Sequence, residues 1–222
     1  MTHQLDIEDM TLEDMRAALA PHIAANAVFD GWGDMARDDA ARAIGLNPDH
    51  ARLAFPEGKV QMIDAWIDQI DQQMIAMCNN DQFRALGMTG KIRAALHARF
   101  AAMQGRKDAV RRALSILALP QNAAKGVQLG WRTADVIWRL AGDEASDFNH
   151  YTKRATLLAV YHATQHAWLA DDSADLSETK AFLERRLGEV MKIEKAKAGW
   201  KSRADHRFSM TRFLGRLRYP AR

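Results

Sequence analysis

The sequence predicts an all-α fold, on three observations. Apolar residues recur close to every 3.6 positions almost throughout the chain, and no persuasive strand pattern interrupts them. Ala, Leu, Met, Arg and Glu dominate, and these side chains lose little freedom in a helix. Helix starts and stops recur between the periodic segments as caps, prolines and glycines.

Each element follows from these signals. Thr11-Leu12-Glu13-Asp14 reads as a capping box that opens a helix over about 12–28. A short helix is predicted over 35–44, stopped by Gly45. Asn47-Pro48 places an N-cap before a proline at the first helical position and starts a third helix to about 54. Pro56 and Gly58 punctuate, and a long helix follows through Met62, Trp66, Ile70 and Met77. Further helices are predicted at 89–104, 107–118, 121–141, 146–170, 177–198 and 206–218. Pro120 and Asp171-Asp172-Ser173 act as separators.

Composition bounds the function. The chain has 222 residues with 48% hydrophobic side chains, enough for a sizeable core. The single Cys78 excludes an intramolecular disulfide and suits a reducing compartment. The acidic start MTHQLDIEDMTLEDM has no apolar stretch of the signal-peptide kind, and no run reaches the roughly 18 apolar residues of a spanning helix. A soluble or peripheral protein is expected. Net charge is +3 but unevenly spread: residues 191–222 hold ten Lys or Arg against Glu194 and Asp205, a tail of +8 on a body of −5. An acidic body with a basic tail points the tail at a polyanionic surface, where a solvated tail is the plainer alternative.

The tail pattern favours the surface. Met210, Phe213, Leu214 and Leu217 fall at i, i+3, i+4 and i+7, with Arg212, Arg216 and Arg218 off the stripe and Arg203 and Arg207 before it. This is a basic amphipathic helix, too short to span a bilayer but suited to lying on anionic lipid. Docking on the protein's own body or on a second subunit is the alternative.

Three helices in the first 55 residues, with Gly45 in the turn between the second and third, suggest a helix-turn-helix. Phe55-Pro56-Glu57-Gly58-Lys59 resembles the junction after the recognition helix of TetR-type regulators. Residues 1–60 nevertheless carry eleven acids and five Lys or Arg, a net of −6, and the third helix offers Asp49, His50 and Arg52. Phosphate contacts dominate DNA affinity, so no DNA binding is expected.

Catalytic signals are thin. Gly31-Trp32-Gly33-Asp34-Met35-Ala36 imitates a nucleotide fingerprint, but no strand precedes it, and a helix junction is expected instead. His162 and His166 share a helix face at zinc spacing, and Asp171 or Asp172 would have to supply the third ligand; satisfied histidines are the plainer reading. Cys78 sits among Met74 and Met77 with no His to activate it. No metal, no cofactor and no enzyme activity are expected, and a hydrolase using an unrecognised site ranks last.

The segment Trp131–Ala155, WRTADVIWRLAGDEASDFNHYTKRA, is the most distinctive. A helix stops with Gly142 in position for a left-handed C′, and another opens with Ser146 or Asp147 as N-cap. Phe, Asn, His and Tyr crowd its first turn, where aromatic residues often anchor a partner. Asp135, Trp138, Ala141-Gly142-Asp143, Asp147-Phe148-Asn149 and Tyr151-Thr152-Lys153-Arg154-Ala155 resemble the ubiquinone-biosynthesis accessory proteins of mitochondria and alphaproteobacteria, a lipid-binding family with a TetR-like helical fold. The likeness is looser through Leu157, Tyr161, Asp171-Asp172-Ser173 and Phe182-Leu183-Glu184-Arg185-Arg186. It is good over about 120–192 and weaker over about 12–80; His150 departs from it, standing where many relatives carry Trp.

The resemblance implies a TetR-like bundle in three parts: a helix-turn-helix-like unit at 1–80, a lipid-binding bundle at 81–198 and a basic amphipathic helix at 199–222. It implies a non-enzymatic factor that binds membranes and presents isoprenoid quinone intermediates to a di-iron hydroxylase. The implied cavity falls to Leu96, Phe100, Leu114, Leu117, Trp131, Trp138, Leu157 and Tyr161, which periodicity alone would assign to ordinary core. Membrane binding falls to Arg207, Met210, Arg212, Phe213, Leu214, Arg216 and Leu217, and partner binding to Asn149, His150, Tyr151 and Arg154. A homodimer is expected by analogy. The implied place is cytoplasmic, peripheral to the inner membrane of a bacterium, or the matrix side of that membrane in a mitochondrion. The competing class is a TetR-type regulator sensing a hydrophobic ligand.

Overall fold

A computed structural model describes residues 10–144 and 148–205; for 148–149 and 193–205 it describes the helices alone. Ten helices and no strand occur among the described residues: α1 Leu12–Asp30, α2 Asp34–Ala43, α3 Pro48–Ala54, α4 Lys59–Cys78, α5 Asp81–Arg84, α6 Met88–Ala102, α7 Lys107–Leu117, α8 Ala123–Ala141, α9 Phe148–Ala170 and α10 Ser177–Asp205.

Local chemistry sets the ends. The Thr11 hydroxyl accepts the Asp14 amide at 3.2 Å while the Asp14 carboxylate accepts the Thr11 amide at 3.1 Å, the reciprocal box expected at the start of α1. Asn47 Oδ1 accepts the Asp49 amide at 2.9 Å ahead of Pro48. At the end of α8, Gly142 has φ +91°; its amide reaches the Arg139 carbonyl at 2.9 Å, and the Asp143 amide reaches that of Trp138 at 3.0 Å. These paired bonds close the helix in a Schellman motif, which a side chain with a Cβ would strain.

Two differences from the periodic reading have simple causes. The short α5 was not predicted; four residues are too few for periodicity, and what holds them is Asn80, whose Oδ1 accepts the Phe83 amide at 2.8 Å. The helix predicted over 177–198 continues to Asp205 and crosses the 198/199 boundary. One glycine inside a helix, Gly199, costs only about 1 kcal/mol relative to Ala, too little to break it. The expected N-caps Ser146 and Asp147 and the expected helix 206–218 lie outside the described residues.

The N-terminal helices form the helix-turn-helix-like unit: α1 packs on α2 and α3, and α2 on α3, with Gly45 at φ +77° in the intervening turn. The unit is not detached from the bundle, because α1 also packs on α4 and α7. Trp32, at the α1–α2 junction, is fully buried; its ring lies 5.2 Å from that of Trp66, and its Nε1 donates to the Ala109 carbonyl at 2.9 Å. The Gly31-Trp32-Gly33 stretch is therefore a packed junction, as expected. In the bundle, α4 packs on α6 and α8, α8 on α9, and α9 on α10.

Candidate lipid cavity and partner surface

A cavity of about 390 Å³ lies between α4, α6, α7, α8 and α9. Its walls are apolar: Trp66, Ile67 and Ile70 from α4, Val110, Ala113, Leu114 and Leu117 from α7, Leu129 from α8 and Leu158 from α9. Two glycines four residues apart on α8, Gly126 and Gly130, also face it. A Cβ at Gly130 would stand 2.7 Å from Leu158 Cδ1 and 3.0 Å from His162 Nε2, so this glycine lets α8 and α9 approach closely.

One part of the lining is polar and deeply buried. Arg99 is 2% exposed; its guanidinium pairs with the Asp71 carboxylate, and its Nε donates to Tyr161 Oη at 3.0 Å. The Thr133 hydroxyl donates to Asp71 at 3.2 Å, and Gln165 Nε2 donates to Tyr161 Oη at 3.1 Å. Burial pushes the Asp71 carboxyl above its usual range against the opposing pull of Arg99. Burial likewise holds His162, on the cavity wall, below the usual imidazole range, so it is neutral at physiological pH. The two charges are buried as a compensated pair, as burial demands.

Of the eight residues expected at a lipid site, Leu114, Leu117 and Tyr161 line this cavity. Phe100 faces a separate space of about 680 Å³ between α6, the α4–α5 region and the start of α10. Trp138 and Leu157 face a third, of about 200 Å³, with Met88, Ile92, Leu187 and Met191. Leu96 is fully buried core and lines none of the three. Trp131 also lies away from the main cavity, half-exposed with its ring 6.2 Å from Tyr151. The shared face of Trp131 and Trp138 is turned to the start of α9, where Lys153 stands 5.2 Å from the Trp138 ring. The α4 wall, Arg99 and Gln165 were missed; only the Gly126–Gly130 spacing could have flagged the gap.

The expected partner segment divides in two. Tyr151 is 60% exposed, its ring 5.1 Å from His150 and close to Trp131, a small aromatic surface. Arg154 is not part of that surface. It is 1% exposed, with Nε on Asp135 at 2.6 Å and a terminal nitrogen on Asp143 at 3.2 Å. Lys153 joins at 2.6 Å, and Lys153 and Arg154 together hold the Asp143 carboxyl below its usual range despite the opposing effect of burial. Four charges thus fasten the end of α8 to the start of α9. The Asn149 side chain and Arg207, Met210, Arg212, Phe213, Leu214, Arg216 and Leu217 lie outside the described residues.

Asp171 caps instead of ligating metal. Its carboxylate accepts the Thr179 amide at 2.8 Å and hydroxyl at 2.6 Å, and the Ser173 amide at 2.9 Å. These bonds serve the first turn of α10 and, outweighing burial, hold its carboxyl far below the usual range. No group of three metal-ligating side chains occurs among the described residues. Cys78 is buried, which raises its thiol pKa, away from the reactive thiolate.

The COQ9 family model matches residues 123–194, which run from α8 into α10. The chain carries a COQ9-family segment. It is 31% identical over 170 residues to the human ubiquinone biosynthesis protein COQ9, mitochondrial, spanning 73% of this chain and 53% of that protein. It is 30% identical to the rat protein of the same name over 73% of this chain and 54% of the relative. The Schizosaccharomyces pombe protein coq9 is 23% identical over 83% of this chain and 73% of its own length. The chain spans about half the length of the mammalian relatives it matches. In fold it is similar to the TetR transcriptional regulator from Nitrosomonas europaea ATCC 19718, with a TM-score of 0.63 and 23% identity over 79% of this chain and 97% of the regulator. The fold is TetR-like and all-α. No described helix is long and apolar enough to cross a membrane.

Proposed function

We propose that this COQ9 relative is a non-enzymatic lipid-binding accessory factor in ubiquinone biosynthesis. The observation that carries the proposal is the apolar cavity of about 390 Å³, two of whose walls, α8 and α9, belong to the matched segment. Its volume is within the range of about 300–1,000 Å³ typical of small-molecule sites. The ligand is an isoprenoid quinone or its precursor. The basic stripe at Arg207–Leu217 holds the protein on the anionic face of a membrane, and the exposed Tyr151, with His150 and Asn149, meets the biosynthetic hydroxylase. Organic extraction of the natively purified protein, followed by mass spectrometry, tests the proposal. A stoichiometric prenylated lipid is expected; protein free of lipid that also fails to take up isoprenoid quinone would overturn it.

A TetR-type regulator is the second reading, favoured by the α1–α3 arrangement. Charge opposes it: Arg52, on α3, is held by Asp38 at 2.9 Å and Asp49 at 2.8 Å, so its cation is already committed. A sub-micromolar mobility shift on one genomic sequence at physiological salt would favour the regulator.

A further inference from the structure

The polar part of the cavity has an unspent hydrogen. Tyr161 Oη accepts from Arg99 Nε at 3.0 Å and from Gln165 Nε2 at 3.1 Å. A guanidinium can only donate, and Gln165 presents its amide nitrogen to the phenol, so neither takes the phenol's own proton. Tyr161 is 5% exposed and lines the cavity, so any further partner for its proton comes from the cavity side. A donor so placed calls for an acceptor inside the cavity. The charge of Arg99 is spent on Asp71, so the site has no surplus cation for a phosphate or carboxylate head. Leu158, Leu117 and Ile70 offer apolar surface to the rest of the ligand.

The geometry points to Tyr161 as the hydrogen-bond donor that recognises a neutral oxygen acceptor, a carbonyl of the quinone type, at the head of a lipid in this cavity. The two N–H donors on its oxygen make the hydroxyl a stronger donor, since chained hydrogen bonds polarise one another. Asp71 and Thr133 fix Arg99, which fixes the phenol. This inference rests on the lipid-carrier reading above and adds the group that selects the head.

The test sets a benzoquinone with an isoprenoid tail against squalene, a hydrocarbon without oxygen, on the lipid-depleted full chain. Occupancy is read by native mass spectrometry for the wild type and Tyr161→Phe, with melting temperatures measured alongside. The wild type is expected to prefer the quinone by about tenfold, the scale of one hydrogen bond, and the variant to lose that preference while still taking squalene. A variant that keeps the preference overturns the inference and leaves the lipid reading standing. A wild type that binds neither ligand overturns both. The carbonyl stretch of quinone bound to the wild type is independent of how well the variant folds. It should fall below its frequency in alkane, and an unshifted band rejects the assignment.

Discussion

Tyr151 and Arg154 lie three residues apart on α9 and have opposite fates. Tyr151 keeps an apolar ring and a polar tip at the surface, a side chain that orders with little entropy loss. Arg154 is consumed by Asp135 and Asp143. Tyr151→Ala should therefore weaken association with the proposed hydroxylase partner by about 2 kcal/mol or more, leaving the melting temperature and vesicle affinity near wild type; calorimetric titration against a di-iron hydroxylase of the pathway measures the first. Arg154→Ala should do the reverse. It takes one of two cationic partners from each of Asp135 and Asp143, which keep Arg139 and Lys153, and should cost about 1.5–3 kcal/mol of stability, seen in urea unfolding, because buried hydrogen bonds to charged groups are lost. Asp171 adds a pH signature. Its folded pKa lies below the unfolded value, so its stabilisation is full above the ordinary carboxylate range, near pH 4, and is lost as pH falls towards the folded value. Asp171→Asn should lower stability at pH 7 by about 1–2 kcal/mol, as the loss of a helix cap does. It should also flatten the fall in melting temperature below pH 4; an unchanged acid profile would show that other carboxylates govern it.

At the scale of elements, the cavity depends on how close α8 and α9 come. Gly130 permits that approach, and the first atom a new Cβ meets is a terminal methyl of Leu158. Gly130→Leu should drive a side chain toward the cavity, costing about 1–3 kcal/mol in overpacking and abolishing saturable quenching of tryptophan fluorescence by isoprenoid quinone. Trp66, on the wall, is a natural reporter. Retained quenching would place the ligand elsewhere, for instance in the space lined by Trp138 and Leu157. The start of α10 shows why one motif has two readings. Asp171-Asp172-Ser173 looks like spare ligands beside His162 and His166, yet α10 needs acceptors for its first amides: Asp171 serves Thr179, and Ser173 serves Ser177 at 3.0 Å.

For the whole molecule, charge separation is the organising feature: a body of −5 with a tail of +8. The N-terminal unit repels a polyanion and the tail attracts one, so the protein should approach an anionic membrane tail first. Phe213→Glu with Leu214→Glu should abolish co-sedimentation with anionic vesicles without lowering the melting temperature. Unchanged sedimentation would remove the tail from membrane binding. Raising the salt should weaken the wild-type interaction in part, since screening acts on the arginines and not on the apolar stripe.

Apart from α5 and the far end of α10, the described helices were legible in the sequence because their causes are local. The Thr11 box, the Asn47-Pro48 start and the Gly142 stop each depend on residues within a few positions of one another. The Trp131–Ala155 string carried the family resemblance for a related reason, since the end of α8 and the start of α9 adjoin in sequence. Only the tertiary structure decided which apolar faces leave a space between them and which simply fill the core. Periodicity states that a face is buried, not what it is buried against, so Leu96, Leu114 and Leu157 read alike. The polar cluster was hidden for the same reason: Asp71, Arg99, Thr133 and Tyr161 come from four helices, and Arg99 and Tyr161 are 62 residues apart. A charge inside a helical pattern reads as a solvated face until packing brings its partner to it.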